Sequence, residues 1–455
     1  MSLHPRRRLR GAAVLAAGVV VGLALAACSS SGGSSGGSTS AGGAAGGSAA
    51  LDAALSKGGE LTYWTWTPSA KAQVAAFEQA YPNVKVNLVD TGGAGDNNTK
   101  LQNAIKAGSG APDVVQVEYQ SLLQFVLPKD LVDLTKYGFG DLKSKYSAST
   151  WGAVTGANGI WGLPQDSGPM ALFYNKTVFD KYGLTVPKTW DDYIAEAKKL
   201  HAADPTKFFV NDTGDAGMTT SLIWQAGGRP FKSDGEKVSI NLQDPGSKKF
   251  ADMWNQLNEG GLLGNIPGWS DQWFKALGDG TIATLVTGGW MPGVFEASVP
   301  AGKGQWRVAP MPTFGSDTAT AENGGSTEVV VKQSKNPELA AAFLRWLNSD
   351  PASVKVFLAS GGFPATTADL ESADFQGKTD DYFGGQQVNK VIVDSSKNVG
   401  TGWQYLPWQS YANSIFSDTV GKAFLNKSDI NEGLKAWQDQ NVTYGKAQGF
   451  TVTAG

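Results

Sequence analysis

The sequence predicts an α/β protein built of more than one domain, on two observations. Beyond residue 57, stretches with the two-residue alternation of a strand take turns with stretches of helical spacing, in the order β-α-β-α-β. About 400 residues follow that point, more than one hydrophobic core usually organises.

The first strand is LTYWTW (61–66), whose apolar residues alternate. Residues 68–80 follow as a helix, with Pro68 in its first turn and Val74 and Phe77 on one face. VKVNLV (84–89) is the second strand, 98–107 the second helix, and 114–117 the third strand, introduced by Gly110-Ala111-Pro112-Asp113. Such alternation implies a mostly parallel sheet with helices on both faces, and ligands beyond the carboxyl ends of its strands. Trp64, Trp66, Glu118 and Tyr119 are expected at those ends. Further on, TWDDYIAEAKKL (189–200) opens with Thr189 as a helix cap and acids in the first turn. Pro245-Gly246-Ser247 introduces a helix carrying Phe250, Met253, Trp254 and Leu257, and Asn336-Pro337-Glu338 caps and starts another. Several helices are expected between 385 and 446.

The chain begins differently. Four arginines precede residues 11–27, all Gly, Ala, Val or Leu, the n-region and h-region of an export signal. Leu25-Ala26-Ala27-Cys28 resembles a bacterial lipobox, in which the cysteine becomes the lipid-bearing N-terminus; the paired arginines are also compatible with a twin-arginine route. Residues 29–50 hold eight Gly, eight Ser, five Ala and one Thr, a composition of a flexible tether with a root-mean-square reach of about 25 Å. The expected division is a signal peptide at 1–27 and a lipidated Cys28 with its tether over 28–57.

Charge and residue usage exclude several classes. Without residues 1–27 the chain has 34 basic and 41 acidic side chains, a net charge of −7 that disfavours nucleic acid. Cys28 is the only cysteine, so disulfides, zinc-cysteine sites and a thiol nucleophile are not expected. His4 leaves with the signal, and His201 falls near a helix C-terminus, where a cationic side chain suits the dipole. Neither Ser-His-Asp nor multi-histidine metal chemistry is therefore expected, and no cofactor or metal. Gly92-Gly93-Ala94-Gly95 lacks the Gly-Lys-Ser/Thr of a phosphate loop and reads as a turn.

All 15 tryptophans lie beyond residue 57. Trp254, Trp346 and Trp437 fall on helix faces and read as core. Trp64, Trp66, Trp269, Trp290 and Trp408 fall at strand ends or in Gly- and Pro-rich loops, as in NIPGWSDQW, TGGWMPG and GTGWQYLPW, where flat indoles suit the apolar faces of sugar rings.

From residue 58 onward the chain resembles the extracellular sugar-binding proteins of ABC importers, the cluster that includes maltose-binding protein. The segments that carry the resemblance, in order, are LTYWTW, APDVVQVE, IWGLPQDSGPMALFYNKTVFDKYGLTVPKTWDDYIAEAKKL, LIWQAGGRPF, FKALGDGTIATLVTGGWMPG, WRVAPMPTFG and GGSTEVVVKQSKNPELAAAFLRWLNS. The resemblance implies a periplasmic-binding-protein-like fold: an N-terminal lobe at 58–165 and 326–362 and a C-terminal lobe at 166–325 and 363–455, joined by a multi-strand hinge. A sugar lies between them and their closure buries it. Carried over position by position, the resemblance implies ligand contacts at Trp64, Trp66, Glu118, Tyr119, Asp166, Asp215, Trp290, Gly324 and Gly325, with Trp269, Trp403 and Trp408 less securely placed. It also implies a monomeric, lipid-anchored, non-enzymatic receptor on the outer face of the cytoplasmic membrane, which hands a di- or oligosaccharide to ABC permease subunits. The alternatives are a lipid-anchored glycoside hydrolase using a carboxylate pair, or a receptor for a non-sugar solute.

Overall fold

Strand Gly59–Thr65 nucleates the first sheet: Leu61 and Tyr63 point inward and are almost fully buried, while Thr62 and Trp64 between them are half-buried. It pairs in parallel with Val84–Asp90 on one side and Val114–Glu118 on the other, as the alternation predicts. Two further strands come from far along the chain. Ser326–Val330 lies antiparallel to Val114–Glu118, and the short Leu163–Pro164 strand lies antiparallel to it in turn. The computed structural model describes residues 41–156 and 158–455, with side chains from residue 47 in its first helix. The export signal, Cys28 and residues 29–40 of the tether lie outside the described residues.

Residues 41–57 correct one expectation. They form a helix, Ala41–Lys57, where a coil was expected. Leu51 is buried in the first core, with Ala54 and Leu55 packed against it. A Cβ at Gly47 would lie 2.6–2.8 Å from the backbone of Lys136 and Tyr137, so the glycine lets the helix approach that turn closely. Ala and Leu supply helix propensity and an apolar face, and docking supplies what the glycines subtract.

Two smaller corrections concern helix starts. Gly92 and Gly93 do turn, but the second helix begins at once, Ala94–Ala107. Asn336 precedes helix Pro337–Ser349 without capping it, its side-chain amide donating instead to the Glu60 carbonyl. Thr189 behaves as expected. It accepts from Asp192 N while Asp192 accepts from Thr189 N, a reciprocal capping box on helix Trp190–Ala203. Thr189→Ala is expected to cost about 1 kcal/mol, measurable as a lower urea midpoint with an unchanged slope.

The second sheet places Met170–Asn175 between Thr284–Gly288 and Trp306–Ala309, antiparallel to both, so the parallel pairing of the first three strands is not repeated in it. Buried side chains divide accordingly. One cluster draws on residues 51–163, 329–347 and Ala365. Two others draw only on residues between 170 and 452. The chain thus passes between the two groups near 164–169, near 322–328 and again beyond helix Pro351–Ala359, whose Ser353 still accepts from Gln73 of the first group. The first two passages are laced together: Gln116 Nε2 donates to Gln165 Oε1 and Ser326 Oγ, both at 2.9 Å, and Ser326 N donates to Asp166 Oδ1 at 2.6 Å. Trp254, Trp346 and Trp437 are core, as their helical spacing predicts.

Candidate binding cleft

A cleft of ≈ 350 Å³ opens where the two groups face each other, inside the usual range for small-molecule sites, about 300–1,000 Å³. One wall is Tyr119, Leu123, Leu127 and the helix Ala148–Val154; the other is Trp224, the Ser233–Gly235 turn and residues 400–405; Glu322 and Gly324 form the floor. Aromatic rings dominate the second wall. Trp224 and Trp403 stack nearly parallel, 5.3 Å apart with 6° between planes, and Tyr405 meets Trp403 edge-on at 5.8 Å. Trp224 Nε1 donates to the Gly400 carbonyl, and Arg229 donates to the carbonyls of Trp224 and Thr401, tying the loop to the helix Ala216–Gln225.

Of the residues singled out from sequence, Tyr119, Gly324 and Trp403 line this cleft. Four more stand just behind it. Tyr119 OH donates to the Asp166 carbonyl at 2.8 Å, and Tyr119 N to the Gly325 carbonyl at 3.1 Å. Gly325 has φ +94°, and a Cβ there would lie 2.7 Å from the Tyr119 ring, so this close approach requires glycine. Glu118 accepts from Gln120 at 2.7 Å, and the charges of Asp166 and Asp215 both act on it. Asp215 is exposed and caps the helix Ala216–Gln225 through Met218 N.

Trp64, Trp66, Trp269 and Trp290 are not among the lining residues. Trp64 is the penultimate residue of its strand, as expected, but is half-buried against the first core. Trp66 follows that strand, its backbone N–H held by Gln116 Oε1. Trp290 is adjacent to the floor: its Nε1 donates to the Asn323 carbonyl at 2.7 Å and touches the place a Gly324 Cβ would occupy. Trp269 is 53% exposed, holds φ +65°, and stacks on Trp290 at 5.8 Å. Trp408 overturns its expectation. It is 5% exposed, donates to Asn441 and packs on Phe450 and against Gly445, deep in the second core. Sequence reasoning missed Trp224, Tyr405 and Glu322. Trp224 sits in a helix whose apolar residues read as core, whereas Tyr405 stood in view inside GTGWQYLPW.

Among the described residues, no ion pair involves Glu118, Asp166, Asp215, Glu322 or Glu328. Burial pushes Glu322 up to about 7, with Asp166 adding to it, although Ser149 Oγ donates to Glu322 at 2.7 Å. Burial pushes Asp166 up to about 6 against the opposing bonds from Ser326. Beneath the floor, Glu328 accepts from Tyr63, Gln165 and Asn348, yet burial still pushes it up to about 8. An acid whose folded value is raised binds a proton more tightly folded than unfolded, so its contribution is complete below the unfolded value and lost as pH rises through the folded one. For these three groups the loss runs from about pH 4 to about 8. The urea midpoint is expected to be lower at pH 8.5 than at pH 5, and Glu328→Gln to flatten that dependence.

Residues 63–354 match the family described as bacterial extracellular solute-binding protein. The chain belongs to that family. Among solved structures, the ABC transporter associated binding protein of Bifidobacterium animalis subsp. lactis, in complex with β-1,6-galactobiose, is 42% identical with a TM-score of 0.79, over 87% of this chain and 99% of that one. The galacto-N-biose-/lacto-N-biose I-binding protein of Bifidobacterium longum, in complex with lacto-N-biose, is 28% identical with a TM-score of 0.77 over the same shares. The arabinooligosaccharide-binding protein of Bacillus subtilis is 27% identical over 397 residues, 83% of this chain and 88% of its own. The fold of this solute-binding protein is therefore that of the periplasmic-binding-protein-like sugar receptors, an α/β architecture in two halves. Among the described residues no helix is long and apolar enough to cross a membrane, and no group of three or more His, Cys, Asp or Glu could hold a metal.

Proposed function

We propose that this solute-binding protein is the carbohydrate receptor of an ABC importer, taking a di- or oligosaccharide into the cleft between an N-terminal lobe (58–165 and 326–362) and a C-terminal lobe (166–325 and 363–455). The observation that carries the reading is the aromatic wall of Trp224, Trp403 and Tyr405 facing Tyr119 across a floor that holds Glu322. Indole faces cover the C–H side of a pyranose, while carboxyl and carbonyl oxygens accept its hydroxyls. Because the walls come from both halves, a sugar touching both favours the closed form over the open one, the differential affinity that drives closure. Glu118, Asp166, Asp215 and the Trp269–Trp290 pair are the outer contacts of this reading. The sugar complexes of the two bifidobacterial relatives and the names of the curated ones support a carbohydrate ligand.

In this reading the protein binds and does not cleave. It works as a monomer, held to the outer face of the cytoplasmic membrane by lipid on Cys28, and delivers its sugar to permease subunits. The test is thermal unfolding of residues 41–455 against neutral mono-, di- and oligosaccharides, with amino acids and glycerol phosphates as controls, followed by product analysis. A sugar at about 100 times its Kd adds roughly 2.7 kcal/mol and raises the midpoint by a few degrees. Released monosaccharide overturns the non-enzymatic reading, and a shift with only a control solute overturns the sugar.

A further inference from the structure

Charge is distributed unevenly about the cleft. The described lining residues include two acids, Asp234 and Glu322, and no Lys, Arg or His. The charges of Glu118, Asp166 and Asp215 reach the same space: Asp166 and Asp215 act on Glu118, Asp166 acts on Glu322, and Glu322 and Glu118 act on the Tyr405 hydroxyl. Cations stand close by but face elsewhere. Arg229 spends its guanidinium on the carbonyls of Thr401, Trp224 and Gly228, and Asp244 lies beside it. Lys232 precedes Ser233 on a strand whose side chains alternate, so Ser233 faces the cleft while Lys232 and Arg229 line a separate open hollow with Asp244 and Gly455.

We infer that the cleft selects glycans without a carboxylate against uronic-acid glycans of the same skeleton, an inference that rests on the carbohydrate reading above. A buried ligand carboxylate needs a cation or several donors to replace its water. Here it meets the acids that already crowd the floor and no cation that is free to turn toward it. A hydroxyl at the same position of a neutral sugar donates to those same acids and satisfies them. Selection therefore works by repulsion, and the acids that accept hydroxyls also act as the discriminating element.

The experiment is titration calorimetry of residues 41–455 at pH 8, above the raised values of Glu322 and Asp166, with β-1,6-galactobiose, with the disaccharide in which galacturonic acid replaces the non-reducing galactose, and with the methyl ester of that acid. The ester keeps the C6 carbonyl and both its oxygens but not the charge. The expected result is that galactobiose and the ester bind, and that the acid binds on the order of tenfold or more weaker than its ester at low salt. Added salt should narrow the gap, as should Glu322→Gln, whose carbonyl can still accept from Ser149. Asp234→Asn, at an exposed turn, gives the same test without touching the floor. Equal binding of acid and ester overturns the inference and leaves the carbohydrate reading standing. Failure of galactobiose and of every neutral glycan in the thermal panel overturns the reading and the inference with it.

Discussion

Trp403→Ala is expected to weaken sugar binding at least thirtyfold while the protein stays folded. The indole contributes one face of a stacked pair, with Trp224 behind it and Tyr405 at its edge. Removing it deletes the flat surface that the proposed reading gives to a sugar ring and leaves Trp224 without its neighbour. Truncating an aromatic anchor at the centre of a contact costs about 2 kcal/mol or more, and 2 kcal/mol is about thirtyfold in Kd. Calorimetry on the variant checks the loss. Trp408→Ala is the control: it lies in the same segment but inside the second core, so it should lower the unfolding midpoint and leave the Kd of the folded fraction nearly unchanged.

Trp254→Ala should be the most damaging of the stability changes. The side chain is fully buried, contacts Trp190 and Phe250 at ring-centroid distances of 5.9 and 6.1 Å, and donates from Nε1 to Asp212 Oδ2 at 2.9 Å. Large-to-small truncation of a core aromatic costs about 3–5 kcal/mol, and here it also strips a donor from a buried carboxyl. Burial already pushes Asp212 up to about 7, and the Trp254 N–H is one of the contacts that hold it down. Trp254→Phe separates the two effects. It keeps most of the ring but not the donor, so it should cost less, about 1–3 kcal/mol, and move the pH at which Asp212 ionises upward. Urea denaturation at several pH values distinguishes them: a lower midpoint with an unchanged pH profile in Trp254→Phe would rule out the coupling.

The first three strands were legible because each is a short local pattern and all three join one another in parallel within 60 residues of chain. Period-two alternation names the strand, and the helices between them leave little choice of order. The capping box at Thr189 was legible for the same local reason. The antiparallel strand Ser326–Val330 was not, since its partner Val114–Glu118 lies far away in the chain and its pairing is decided by the crossing. The helix Ala41–Lys57 was hidden by its glycines, which lower intrinsic propensity but permit the close docking that stabilises it. At the cleft, composition located the bordering segments more often than the lining side chains. Trp403 and Trp408 share one Gly- and Pro-rich stretch, and only the direction of each side chain separates a wall from a core. Trp224 carried the opposite signal: a helix position that reads as interior, set at the one edge of that helix bordering the cleft.

The parallel indoles of Trp224 and Trp403 have an optical consequence. Two identical chromophores held face to face at 5.3 Å couple their transition dipoles, so the pair absorbs as a unit and contributes a paired signal to near-ultraviolet circular dichroism. A ring that slides against Trp403, or shifts the loop it stands on, changes that coupling without any attached dye. The wall proposed to face the sugar is thus also a built-in spectroscopic probe of occupancy, one that Trp224→Phe would silence while leaving an aromatic surface in place.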